Sequence, residues 1–395
     1  KYGSSDRFLH EDDTDADGAG KTTADKEERS VRRIVVDARA FSDAMAKVSR
    51  VLKKSPLPIL GEICVSVRDG ICTLTATDLE TWITARLPVQ GDDLTFVFNR
   101  TKDVMKALAH MDGELVMELT ERAENSKEPQ KLRLYCAQRL AEYEVSSIKD
   151  YPEMVMVEAD KVFRANAEHL LESIERVRYA TMKPTTNTKP FNTCVQFKGQ
   201  RVFSLDGYRM ACDTQEGVTF PVPFLCYGSS LAYLKVFGKS EVTVQVGTRW
   251  VLFTDGEASL CVRRQGVDTF DVDAALPRQY QETVTVRTAE FIRELNYLKE
   301  CASGFTKPYV RFTGNQLTMA VPGGKFRTGI QVSGRGSLSL GFDLRYMLDA
   351  LKQFKDAPEI RVKLSGIFSP IVIEAEGRDD FALVLPVRLK EEMAA

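Results

Sequence analysis

The side chains in this sequence that could do chemistry are few, and their spacing argues against most reactions. Asp13, Asp15, Asp17 and Gly18 imitate the opening of a calcium-binding loop, but the twelfth position, which needs a bidentate glutamate, is Ala24. Gly20-Lys21-Thr22 imitates the end of a phosphate-binding loop, yet the leading glycine position holds Asp15 and no strand-like run precedes it. The eight cysteines (64, 72, 136, 194, 212, 226, 261 and 301) contain no C-x-x-C pair and lie mostly in apolar runs. They read as buried thiols of a reducing compartment, not as a disulfide or zinc framework. Three histidines (10, 110 and 169) leave little material for a histidine-based metal or acid–base site, and neither H-E-x-x-H nor G-x-S-x-G occurs. Asp78 and Glu80 have no partners that the sequence places beside them. Asp206 precedes Gly207 in a turn-like stretch, where aspartate commonly bonds its own backbone. The expectation is a protein that is not an enzyme, with no catalytic residue, no metal and no cofactor.

What the sequence does concentrate is positive charge. The chain as a whole is slightly acidic, with a formal net charge of −2, so attraction to nucleic acid must come from segregation along the chain. Six stretches with helical spacing (40–54, 100–110, 166–182, 229–239, 288–302 and 344–355) carry +3, +2, −1, +2, −1 and +2. In the first, Phe41, Met45, Val48 and Leu52 form an apolar stripe, with Lys47, Arg50 and Lys54 on the opposite face. Likewise Val104, Leu108 and Met111 oppose Lys102 and Lys106, and Met347, Leu351 and Phe354 oppose Arg345 and Lys352. Solubility alone explains lysines on one helix. Their recurrence on four of the six raises a surface facing duplex DNA, which would bind independently of sequence and permit sliding.

The elements carrying these faces repeat. FVFNRTKDVMKALAHMDGELVMEL (96–119), FLCYGSSLAYLKVFGKSEVTVQV (224–246) and FDLRYMLDALKQFKDAPEIRVKL (342–364) each run from apolar strand end to helix, turn and alternating strand. Between them, stretches 36–54, 163–182 and 286–303 read as strand then amphipathic helix. Each is followed by a hairpin, turning at Asp69-Gly70, Lys198-Gly199 and Gly314-Asn315. The period is about 120 residues. It predicts an α+β chain of three tandem domains (31–157, 158–281 and 282–395), each with two helices and antiparallel sheets. Residues 1–30, with nine acidic and five basic side chains, read as a disordered acidic tail. AENSKEPQ (123–130) reads as a polar loop. The composition, 43% hydrophobic and 28% charged over 395 residues, is that of a globular protein without a membrane span or signal peptide, and predicts a cytoplasmic location.

The run KVSRVLKKSPLPILGEICVSVRDGICTLTATDLE (47–80) resembles the bacterial sliding clamps, the β subunits of DNA polymerase III. PLPILG (56–61), TATDLE (75–80), SLDGYRMA (204–211), GFDLRYMLDAL (341–351) and VLPVRL (384–389) follow in the family's order. The resemblance implies a head-to-tail homodimer closing a ring around double-stranded DNA, with Lys47, Arg50, Lys54, Lys102, Lys106, Arg178, Lys235, Arg345 and Lys352 facing the duplex. Such a ring does no chemistry. It tethers partners at high effective concentration, which the resemblance gives as the DNA polymerase III α subunit, the clamp loader and other clamp-motif proteins. It also implies a pocket for a short peptide, at Phe191, Leu205, Gly207, Tyr208, Arg209, Met210, Phe270 and Ala275, with Asp343, Tyr346, Phe368, Leu383, Leu385, Pro386, Val387 and Arg388. Three positions depart from the family pattern. Tyr208 stands where many clamps carry histidine, Leu205 where a small polar residue is usual, and Phe270 where proline is common. KEEMAA (390–395) follows the strand at which the family usually ends, and reads either as innocuous or as a partial shield for the pocket. The ring contact would pair the strand around Leu140–Val145 with the helix around Arg293–Ala302 of the other protomer. A clamp-like paralogue, a DNA- or protein-binding scaffold outside the main replisome, is the alternative.

Overall fold

The computed structural model describes residues 30–120, 130–154, 156–185, 188–301, 309–313, 316–320, 326–334 and 338–388. The calcium-loop and phosphate-loop look-alikes, the acidic tail before Ser30, the stretch KEEMAA and nearly all of the polar loop at 123–130 lie outside these residues. The helices are α1 (Ala38–Val48), α2 (Thr101–Leu108), α3 (Ala167–Val177), the short α4 (Gly228–Leu231) and α5 (Val272–Ala275), α6 (Thr288–Cys301) and α7 (Leu344–Lys352). Short 3₁₀ turns extend α1 to Val51, α3 to Ala180 and α4 to Phe237. Among the described residues no helix is long and apolar enough to cross a membrane.

The repeat read from the sequence is present down to single hydrogen bonds. Strand Val31–Asp37 pairs antiparallel with Glu114–Thr120, Ala159–Asn166 with Glu241–Gly247, and Glu282–Arg287 with Glu359–Leu364. In each pair the first strand runs straight into a helix. The first helical N–H, which has no partner within its own helix, donates to the residue just before the second strand: Ala38 to Gly113 O (2.8 Å), Ala167 to Ser240 O (3.0 Å) and Thr288 to Pro358 O (3.0 Å). Asp37 and Asn166 cap α1 and α3 by accepting from Ala40 N and His169 N. The helices pack in pairs, α1 with α2, α3 with the turns 228–237, and α6 with α7.

Strand alternation is as regular as the sequence requires. Glu241–Gly247 and Glu359–Leu364 bury every second side chain. The hairpin Cys64–Arg68/Ile71–Thr77 turns at Asp69-Gly70, with φ of +50° and +75°, the backbone of a tight primed turn. The second hairpin turns one residue later than expected, at Gly199-Gln200, because Lys198 still pairs with Arg201. The third pairs Tyr309–Thr313 with Gln316–Ala320, and its turn residues lie outside the described set.

Among the described residues the strands form two thirteen-stranded sheets, each crossing from one repeat into the next. Strand Thr81–Pro88 of the first repeat pairs with Ala258–Arg263 of the second, and Arg209–Thr214 of the second with Phe381–Val384 of the third. These two seams are the same junction built twice. At the first, Trp82 meets Trp250 edge to face at 4.9 Å, and Thr81 Oγ1 donates to Ser230 Oγ at 2.9 Å. Among the described glycines the tightest backbone approach is at Gly91 (φ +124°), where a Cβ would stand 2.1 Å from Arg33 O. Gly91→Ala is expected to destabilise the chain by roughly 2–4 kcal/mol, against about 1 kcal/mol at Gly113, where φ is also positive but the space is open. Denaturant unfolding of the two variants checks the ordering.

Candidate peptide pocket and basic helix faces

At the second seam an Asx turn sets out the side chains. Asp206 Oδ1 accepts from Tyr208 N (2.9 Å) and Arg209 N (3.0 Å), and Gly207 takes φ +87° to allow the turn. The sequence reading of Asp206 as a backbone-bonding turn residue is met here. Tyr208 emerges on one side and Met210 on the other, and Met210 pairs across the seam with Leu383. Tyr208 O accepts from Leu385 N at 2.8 Å, so chain ends nearly 180 residues apart form one wall.

The opposite wall is held by a side chain that sequence reasoning missed. Gln196 is fully buried. Its Oε1 accepts from Phe270 N (2.8 Å) and its Nε2 donates to Phe191 O (3.2 Å), so one amide ties the two aromatic segments together. A buried amide satisfied at both ends is a rigid brace. Beneath lies a separate apolar cluster of Phe203, Leu205, Met210, Cys212, Val272 and Leu383, against which Phe191, Phe270 and Ala275 pack.

These walls enclose a cavity of about 680 Å³. Ten of the sixteen residues named for the pocket line it: Phe191, Leu205, Gly207, Tyr208, Arg209, Met210, Phe270, Ala275, Leu383 and Leu385. Asp343, Tyr346, Phe368, Pro386, Val387 and Arg388 do not, and the reason is local. The Tyr208 ring stacks on Tyr346 at 5.7 Å, so Tyr208 borders the cavity and Tyr346 stands behind it. Asp343 is spent as the cap of α7 and as the partner of Arg345 (2.8 Å). Phe368 is 70% exposed, with Arg388 over its ring at 5.6 Å. Met182, Thr188, Lys189 and Asn192 also line the cavity, from an irregular stretch with no periodicity to betray it.

Arg209 is the one strongly buried cation of this wall, its side chain 11% exposed. Nε donates to Asp206 Oδ2 (2.9 Å) and Nη1 to Asp349 Oδ2 (2.6 Å) on α7. The guanidinium lies over the rings of Tyr346 (4.7 Å) and Tyr179 (5.5 Å).

The basic faces are present, with two changes. All nine side chains named for DNA contact are exposed or half-exposed. However, α1 ends at Val48, where Ser49 Oγ donates back to Ala46 O (3.1 Å) and a 3₁₀ turn follows. Lys54 therefore lies beyond the helix it was assigned to, and Leu52 is only partly buried. Arg178 and Lys235 sit in 3₁₀ turns, not α-helix. Secondly, four of the nine are paired with nearby carboxylates: Lys106 with Asp103, Arg178 with Glu175, Arg345 with Asp343 and Lys352 with Asp349. Lys47, Arg50, Lys54, Lys102 and Lys235 have no carboxylate in salt-bridge range among the described residues.

Elsewhere the chemistry is quiet. Seven cysteines are buried and Cys301 is half-buried. Burial pushes the thiols of Cys64, Cys72, Cys194, Cys212 and Cys261 up to about 12, which keeps them protonated and poor nucleophiles. Among the described residues no three His, Cys, Asp or Glu side chains cluster as metal ligands do.

Comparison with known proteins agrees with this architecture. Residues 273–388 match the family model of the DNA polymerase III beta subunit, C-terminal domain. The beta sliding clamp of Staphylococcus aureus is 22% identical over 360 residues, which cover 85% of this chain and 93% of the relative. The solved DNA polymerase III beta subunits of Eubacterium rectale, named as putative, and Streptococcus pyogenes superpose with TM-scores of 0.79. Each is 17% identical and is covered in full by 91% and 90% of this chain, respectively. This chain therefore has the fold of the solved DNA polymerase III beta subunits over nine-tenths of its length, and its residues 273–388 match the C-terminal domain of that family.

Proposed function

We propose that the protein is a DNA sliding clamp, a non-catalytic ring of two chains that encircles duplex DNA and tethers replication proteins through the pocket at the second seam. The observation that carries this is the repeated junction. Strand Ala258–Arg263 of the second repeat pairs with the first, and Phe381–Val384 of the third pairs with the second. By the same order of elements, strand Arg139–Ser146 of the first repeat is the third such donor. Strand Arg327–Ser333 of the third repeat is the third such acceptor. Each pairs within its own repeat along one side and along only its last residues on the other, which leaves residues 139–144 and 327–331 each with a strand edge unpaired among the described residues. A donor edge at one end and an acceptor edge at the other is the geometry of a head-to-tail contact. Two chains, each of domains 31–157, 158–281 and 282–395, close the ring by making this seam between protomers. Helix α6 packs on strand Arg327–Ser333 and would border the contact, so the direct partner of strand Arg139–Ser146 would be that strand and not the helix the resemblance implied.

Duplex DNA is held by topology and by the exposed cations, without base reading, and the location follows as the cytoplasm. The pocket takes one linear peptide from each partner, the polymerase α subunit and the clamp loader among them, in the manner of an anchor residue filling an apolar site.

The test is solution mass with and without a block on the free edge. The chain of 44.3 kDa is expected to sediment at twice that mass down to low concentration. Leu140→Pro, which removes an N–H that points to the open edge and not to the strand Gln130–Cys136 beside it, is expected to shift the dimer toward monomer while the melting of each chain changes little. A monomer throughout would remove the topological mechanism and favour the scaffold paralogue.

A further inference from the structure

The carboxylate of Asp349 is shared. Oδ2 accepts from Arg209, which lines the pocket, and Oδ1 accepts from Lys352 (2.7 Å), one of the cations on α7 named for DNA contact. Both hydrogen bonds are short, and among the described residues Asp349 is the one carboxylate that bonds both cations. Burial works against its charge, but Lys352 and Arg209 together hold its carboxyl below the ordinary carboxylate range. Arg209 in turn has spare capacity. Its Nε and Nη1 are used, whereas Nη2 makes no hydrogen bond among the described residues. An almost buried guanidinium with unused donors at a cavity wall is a place for an acceptor on the ligand.

We propose that Asp349 couples the pocket to the DNA-facing surface, so that an acidic peptide in the pocket and a phosphate on Lys352 oppose one another. The inference rests on the sliding-clamp reading and adds a regulation to its pocket. A phosphate that draws Lys352 away leaves the whole charge of Asp349 facing Arg209. Arg209 is then less available to a carboxylate on the peptide. Conversely, an acidic ligand that takes Arg209 leaves Asp349 to neutralise Lys352 and weakens its hold on DNA. The coupling is reciprocal, as linkage demands. A peptide that fills the cavity with apolar anchors alone does not engage it. The consequence is that the clamp ranks partners by charge according to whether DNA is engaged, a distinction that apolar lining residues cannot make.

The experiment uses the full chain and two fluorescent peptides with the same leucine and phenylalanine anchors, one flanked by aspartates and one by asparagines. Anisotropy titrations are run with and without a short duplex at low ionic strength. The duplex is expected to weaken the aspartate peptide about threefold, the scale of one partly exposed ion pair, and to leave the asparagine peptide unchanged. Lys352→Gln is expected to reproduce that loss without any DNA. Asp349→Asn is expected to bind the aspartate peptide equally well with and without duplex. Equal affinity of the aspartate peptide in the parent with and without duplex and in Lys352→Gln, or a duplex effect that persists in Asp349→Asn, overturns the coupling alone. Failure of the underlying reading looks different: neither peptide binds in any variant, and the inference falls with the pocket.

Discussion

Replacing Lys47, Arg50 and Lys54 together by glutamine is expected to weaken association with duplex DNA by at least about tenfold at 0.1 M salt and to flatten its salt dependence. These three are the place to look because they are the densest group of cations with no carboxylate in salt-bridge range among the described residues. For every phosphate that a cation no longer neutralises, the slope of log affinity against log salt shrinks by about 0.9. The slope is therefore the more specific readout, since a misfolded variant would lose binding at every salt concentration. The substitution leaves the core alone. Phe41, Met45 and Val48 are fully buried on the other side of α1, and Lys53 keeps its ion pair with Asp78 at 2.6 Å. The matched control is Arg345→Gln with Lys106→Gln, where Asp343 and Asp103 already offset the charge, and a clearly smaller effect is expected. Parent-like affinity in the triple variant across a salt series would sink the assignment of this face to DNA.

The second large effect is on peptide capture. Leu385 lines the cavity and is 37% exposed, so truncating it removes anchoring surface at little cost to the fold. Burying a leucine against a ligand is worth roughly 1.5–3 kcal/mol, so Leu385→Ala is expected to reduce the affinity of a leucine- and phenylalanine-bearing peptide about tenfold or more. Val387, two residues on, is half-buried but lies outside the cavity. Val387→Ala is expected to stay within about twofold of the parent, the usual range for a residue outside the binding core. Anisotropy measures both, and equal losses from the two variants would mean that the peptide runs along the Phe368 side of Tyr208 and not into the cavity.

Much of this molecule was legible in its residues because period and polarity agree within each element. The stripes of α1, α2 and α7 fall on buried positions, and the alternating strands at 241–246 and 359–364 alternate in burial as well. Helix ends were less legible. Nothing in the spacing of Lys47, Arg50 and Lys54 announces that Ser49 stops the helix, since the same spacing continues through the 3₁₀ turn. The pocket was legible only in part, and for a different reason. From sequence alone Met210, Leu383 and Leu385 read as plain core strand residues; Met210 and Leu383 are buried, whereas Leu385 is 37% exposed. What makes their neighbours a cavity is a tertiary arrangement: the brace at Gln196, the Asx turn at Asp206 and the Tyr208–Tyr346 stack. None of these follows from local pattern. Gln196 in particular sits in an apolar strand, where a lone amide is unremarkable until its two partners, at positions 191 and 270, are known.

The pairing of Trp82 with Trp250 at the first seam has a practical corollary. They are the only two tryptophans in the chain, and they come from different repeats. Light at the red edge of protein absorption therefore excites a single dye pair, placed where the first two repeats join and away from the pocket and its tyrosines. The emission colour and lifetime of the native protein report whether that seam is closed, without any label. A ring that opens between protomers would leave this signal steady, whereas one that flexes within a protomer at its first seam would change it.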